Sequence, residues 1–125
     1  QFYLTFPEVD TPDKSPIRDY VNVVDLGEAH LSAVEHLLKD GNSDVINIGT
    51  GKGNSVLEII RIVEQVTGEK IDSSRTEPRQ GEYAKMIAKI DKAKTILGWA
   101  PKRSIEQSVK SLITWYNAHP QGWNS

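Results

Sequence analysis

A chain of 125 residues, 38% hydrophobic and 26% charged, has the size of one domain and room for a modest core. A formal charge of -2 excludes the broad basic field of a nucleic-acid or anionic-membrane binder, so any anion must be held by a few placed cations. There is no Cys, which excludes disulfides and thiolate metal sites, and no run approaches the ~20 apolar residues that cross a bilayer; a cytoplasmic location is the expectation.

Gln1 to Phe6 are apolar and aromatic without the charged leader of a secretory signal, and read as a strand or linker entered midway through something larger. Residues 1–16 are expected to form this entry segment, with the turn-rich Thr11-Pro12-Asp13-Lys14-Ser15-Pro16 at its end, and 17–125 the domain proper. Ile17 to Val24 reads as a strand. Asp25 with Glu28 has capping-box spacing, and Leu26, Ala29, Ala33, Val34, Leu37 and Leu38 form an apolar helical stripe that Gly41 ends. Val45 to Ile48 is a short apolar run of buried-strand type. Ser55 with Glu58 is a second capping box, opening a helix that Gly68 stops. Lys70 to Asp72 reads as a short strand, and Ser73 to Tyr83 as a polar loop. Asp91 can cap a short helix closed by Gly98, and Ser104 with Gln107 opens the last helix, which stops before Pro120. Strands alternating with about four helices predict a small α/β domain with at least one parallel pair.

The turn Gly49-Thr50-Gly51-Lys52-Gly53-Asn54 lies between a predicted strand and a capped helix, the arrangement that binds dinucleotide phosphates. Asn54 replaces the third glycine of that motif, and Lys52 precedes Gly53 instead of following a glycine before Ser or Thr. Three readings stand: a tight turn with a capped helix behind it, a substrate-facing turn, and an NAD site. His30, His36 and His119 lack metal-like spacing, and no metal site is expected.

Several short pieces fall in an order that resembles the UDP-glucose 4-epimerases. They are Thr11-Pro12-Asp13, Ile17-Arg18-Asp19-Tyr20-Val21, Asp25-Leu26, Asn47-Ile48-Gly49-Thr50-Gly51 and Ser55-Val56-Leu57-Glu58. Pro78-Arg79-Gln80-Gly81-Glu82, Lys92-Ala93, Leu97-Gly98-Trp99, Pro101 and His119-Pro120-Gln121-Gly122-Trp123 continue it, so the resemblance spans roughly residues 9 to 123. It implies the carboxy-terminal, substrate-binding lobe of an extended short-chain dehydrogenase/reductase. The missing amino-terminal Rossmann lobe would hold NAD and carry the Tyr-x-x-x-Lys pair. The implied reaction interconverts UDP-glucose and UDP-galactose through a 4-keto intermediate.

No residue here matches that other lobe, so this chain alone is expected to bind no cofactor, to hold no catalytic residue and to transfer no hydride. The resemblance implies that Arg18 and Arg79 contact the diphosphate, whose oxygens suit forked guanidinium donors. It places Glu82 where the family usually has an Asp accepting ribose hydroxyls. Asn22 stands where a His is common and Lys89 where an Asp is common, and these departures bear on the substrate. Arg18 could instead pair with Asp19 or Asp25. Asp25 reads as a cap, Tyr20 as packing, and Trp99, Trp115 and Tyr116 as core or lobe contacts. The expected partners are a UDP-hexose and the NAD-binding lobe of the same enzyme; a freestanding domain would instead self-associate through the surface that lobe would cover. The alternatives are a lobe of a nucleotide-sugar dehydratase or decarboxylase, and a freestanding non-catalytic interaction domain.

Overall fold

The computed structural model describes residues 2–6, 8–78 and 80–123. Among the described residues, four helices carry most of the regular secondary structure: α1 (Val23–Leu38), α2 (Val56–Thr67), α3 (Asp91–Leu97) and α4 (Ile105–Ala118). The strands are two or three residues long. β1 (Phe2–Leu4) pairs in parallel with β4 (Ser73–Arg75). β2 (Ile17–Arg18) is the centre of a second sheet, antiparallel to β3 (Asn54–Ser55) and parallel to β5 (Lys85–Met86). The architecture is the small α/β domain expected, with two parallel pairs. No helix among the described residues is long and apolar enough to cross a membrane.

α2 and α4 begin where their capping boxes predict. The Ser55 and Ser104 side chains accept from the N–H groups of Glu58 and Gln107, whose own side chains return to the cap backbone. α2 ends at Gly68 and α3 at Gly98, both left-handed, as a glycine stop requires.

α1 departs from expectation. Its cap is Asn22, whose side chain accepts from Val24 N at 2.9 Å, so Val23 and Val24 are helical and the strand shrinks to Ile17–Arg18. Asp25 lies inside the first turn and is no cap. The helix buries Asp25 and Ala29, while Val34, Leu37 and Leu38, expected on the core face, are exposed. Asp91 is the first helical residue of α3, whose cap Ile90 makes no side-chain bond. Val45 to Ile48 joins no ladder; Ile46 and Ile48 instead pack against the core of Ala29, Ala93 and Trp99. The strand expected at Lys70–Asp72 forms three residues later, inside the segment read as a loop.

One core cluster forms between α1 and α3, where the small side chains of Ala29 and Ala93 let the helices pack together. Trp99 fills the remaining space, and its indole N–H donates to the Asp25 carbonyl at 3.0 Å, so the ring is buried with its polar atom satisfied. α2 packs on α4.

Candidate functional site

Arg18 is held on the central strand of the three-stranded sheet, with β3 on one side and β5 on the other. One Nη donates to the carbonyls of Ile17 and Tyr83, each at 2.9 Å. The other pairs with the Glu82 carboxylate, brought from 64 residues away. The two described members of the expected substrate set are therefore in contact. Arg79 lies outside the described residues. Neither Asp19 nor Asp25 is the partner of Arg18; each carboxylate is engaged elsewhere. Tyr20 is half-buried beside Arg18. Burial raises its phenol above the ordinary value, against the opposing charge of the guanidinium, so it keeps its proton at neutral pH.

Asp19 organises the glycine turn. Its carboxylate accepts from Thr50 N at 2.7 Å, Gly51 N at 3.0 Å, Ala88 N at 3.2 Å and the Thr50 hydroxyl. Lys52 N donates to the Thr50 oxygen at 3.1 Å. The amides of Thr50, Gly51 and Lys52, which a phosphate cradle would need, are thus already bonded, two of them to a carboxylate that repels phosphate. The turn does not fit the pyrophosphate of NAD, and the tight-turn reading is the one its geometry carries. Its glycines have steric reasons. A Cβ at Gly49 would come within 2.6 Å of the Asp19 carboxylate, one at Gly53 within 2.3 Å of Ile17, and Gly51 has φ of 69°. A shallow cleft of about 440 Å³ opens beside this turn, bordered by Tyr20, Lys52, Asn54, Lys102 and Ser104.

Two further carboxylates fix the surroundings. Asp13 accepts from Ser15 N at 3.1 Å, Ser15 Oγ at 2.7 Å and the Arg61 guanidinium at 3.0 Å, and from the cap residue Ser55. Burial would raise its carboxyl, but the Ser55 and Ser15 bonds and the Arg61 charge outweigh that and hold it low. This ties the 11–16 loop to the start of α2, and so to β3 beside Arg18. Asp25, 1% exposed, accepts from Lys102 N at 3.0 Å, Arg103 N at 2.9 Å and the Arg103 guanidinium. Burial again opposes ionisation, and the backbone and guanidinium donors of 102–103 overcome it.

The roles of Asp13 and Asp19 escaped the sequence reading. A turn with several unpaired amides needs an acceptor, and an acid on the neighbouring strand end was the available signal. Asn22, the departure from the family pattern, is 4% exposed and donates to Ser108 Oγ at 2.9 Å besides capping α1, so it links α1 to α4. Lys89 is exposed and pairs loosely with Asp91 at 3.7 Å. Among the described residues no group of three or more His, Asp or Glu could hold a metal ion.

No protein-family model matches the chain. A UDP-glucose 4-epimerase of Halalkalibacterium halodurans is 46% identical over 119 residues, covering 94% of this chain and 36% of that protein. The crystal structure of the Bifidobacterium longum UDP-glucose 4-epimerase, in complex with NAD+ and UDP, superposes with a TM-score of 0.86 at 33% identity, over 97% of this chain and 36% of that one. The chain is homologous to about a third of a UDP-glucose 4-epimerase. A third UDP-glucose 4-epimerase, from Stenotrophomonas maltophila with bound NAD and formylated UDP-arabinopyranose, gives a TM-score of 0.91 at 29% identity, over 97% of this chain and 36% of that one. The epimerase fold is thus shared across nearly the whole chain, which spans little more than a third of the length of these relatives.

Proposed function

We propose that this chain is the carboxy-terminal lobe of a UDP-glucose 4-epimerase and grips the nucleotide diphosphate of a UDP-hexose. In this reading the remainder of the enzyme holds NAD, carries the catalytic pair and performs the C4 oxidation and reduction. The chain by itself transfers no hydride, and its location is cytoplasmic. The observation that carries the reading is the position of Arg18, a guanidinium anchored on a central strand and paired with a residue of the loop that also contains Arg79. Strand anchoring fixes a cation in direction as well as place, which a forked contact to phosphate oxygens demands. Homology to epimerases that bind UDP-sugars and NAD supports the assignment.

Calorimetric titration of the chain with UDP and UDP-glucose tests it. Binding is expected, and Arg18→Ala or Arg79→Ala should each weaken it by about tenfold or more, because a hydrogen bond to a charged group contributes ~1.5–3 kcal/mol. A folded chain that takes up neither ligand, or arginine variants that bind as well as the parent, would defeat the assignment.

A further inference from the structure

The guanidinium of Arg18 is already compensated. Two backbone carbonyls fix one side of it, and the Glu82 carboxylate occupies the other. A phosphate arriving at that side meets a like charge on the donors it requires. We propose that Glu82 is an internal competitor for the anion site, holding Arg18 until a phosphate ester displaces it. The inference rests on the reading of Arg18 as a diphosphate ligand and adds a specificity role for its partner.

Two features make the exchange physically easy. The side chains of Arg18 and Glu82 are 23% and 28% exposed, so water reaches the pair and the carboxylate can leave without unfolding anything. Glu82 directly follows Gly81, which has φ of 80° and no atom within 4 Å of where a Cβ would stand. The backbone next to Glu82 is thus a glycine in a left-handed conformation with open space beside it. The chemical consequence is a threshold. A small free anion that engages Arg18 alone must displace an intramolecular carboxylate, whereas a nucleoside diphosphate brings additional contacts that offset the exchange. Glu82 thereby discriminates against inorganic phosphates and in favour of their large esters.

The test is titration of the 125-residue chain, and of its Glu82→Gln and Glu77→Gln variants, with inorganic pyrophosphate and with UDP. Glu77 is exposed in the same loop and removes the same charge without touching Arg18 in the structure. Glu82→Gln should tighten pyrophosphate binding by about fivefold or more, while Glu77→Gln changes it by less than about twofold. Glu82→Ala serves as a second variant, with circular dichroism checking the fold of each. If the parent binds UDP but Glu82→Gln leaves pyrophosphate affinity unchanged or weaker, competition is refuted and the ligand assignment stands. Equal tightening in both glutamine variants points to general charge and also refutes it. If the parent binds neither ligand, both readings fall.

Discussion

Asp25 illustrates how a buried charge survives when the backbone comes to meet it. Two N–H groups and a guanidinium converge on its carboxylate, and the carboxyl is held below the ordinary carboxylate range. Asp25→Asn should destabilise the fold by roughly 2–3 kcal/mol, less than for a fully buried pair because Arg103 stays partly solvated. The shift of the urea midpoint at neutral pH measures it. The sign of the pH dependence follows from the lowered value. Asp25 and Asp13 both release protons more readily folded than unfolded, so their contribution is complete above the unfolded carboxyl range and is lost as pH falls through the folded values. The melting temperature should be level from about pH 5 to 8 and drop below about pH 4, with a smaller drop in Asp25→Asn. The sequence misassigned this residue for a definite reason. Asn22 and Asp25 are both competent caps three positions apart, and only the packing of Trp99 and the 102–103 backbone decides which one lies inside the helix.

Among the elements, the legible ones were those whose signals are local. The boxes at Ser55 and Ser104, and the glycines after α2 and α3, sit within one turn of the ends they define. The strands were legible only in part: β1 lies in the entry segment read as strand or linker and β2 starts the strand read from Ile17, but the strand ends and β3, β4 and β5 were missed, because a ladder of two or three residues is too short to show a period and is set by its partner across the sheet. The same limit hid the pairing of Arg18 with Glu82, which arises only when β5 docks beside β2. The glycine turn was legible as a turn, and what counts against its NAD reading, the Asp19 carboxylate taking its amides, has no local signal. Gly53→Ala should therefore act through packing. A methyl group there would press on Ile17 and Ile87, destabilising the protein by roughly 1–3 kcal/mol in a thermal or denaturant melt. It should also loosen β2 against β3, which Gly68→Ala, whose cost is the left-handed backbone at the end of α2 and not crowding, would not do.

For the molecule as a whole, the outward face of α1 is the conspicuous surface. Val24, Leu31, Val34 and Leu38 follow a heptad-like spacing and all are exposed, Leu38 at 80%. Proteins nearly three times as long share this fold, and the isolated chain is expected to cover the stripe with a second copy of itself. Light scattering across a wide concentration range should show association, and Leu31→Ser with Leu38→Ser should abolish it while leaving the helical signal intact. A monomer at every concentration would count against the stripe as a contact face.

Each ladder among the described residues joins segments distant along the chain: Phe2 meets Ser73, Ile17 meets Ser55 on one side and Lys85 on the other. Closing these seams costs loop entropy that the helices, whose contacts are local, do not bear, so the seams are expected to form after the helices. The carbonyl of Tyr83 and the carboxylate of Glu82 reach Arg18 across the seam between β2 and β5. The pairing of Arg18 with Glu82 is therefore not a local module that a half-collapsed chain could keep; it depends on the seam between β2 and β5 being closed.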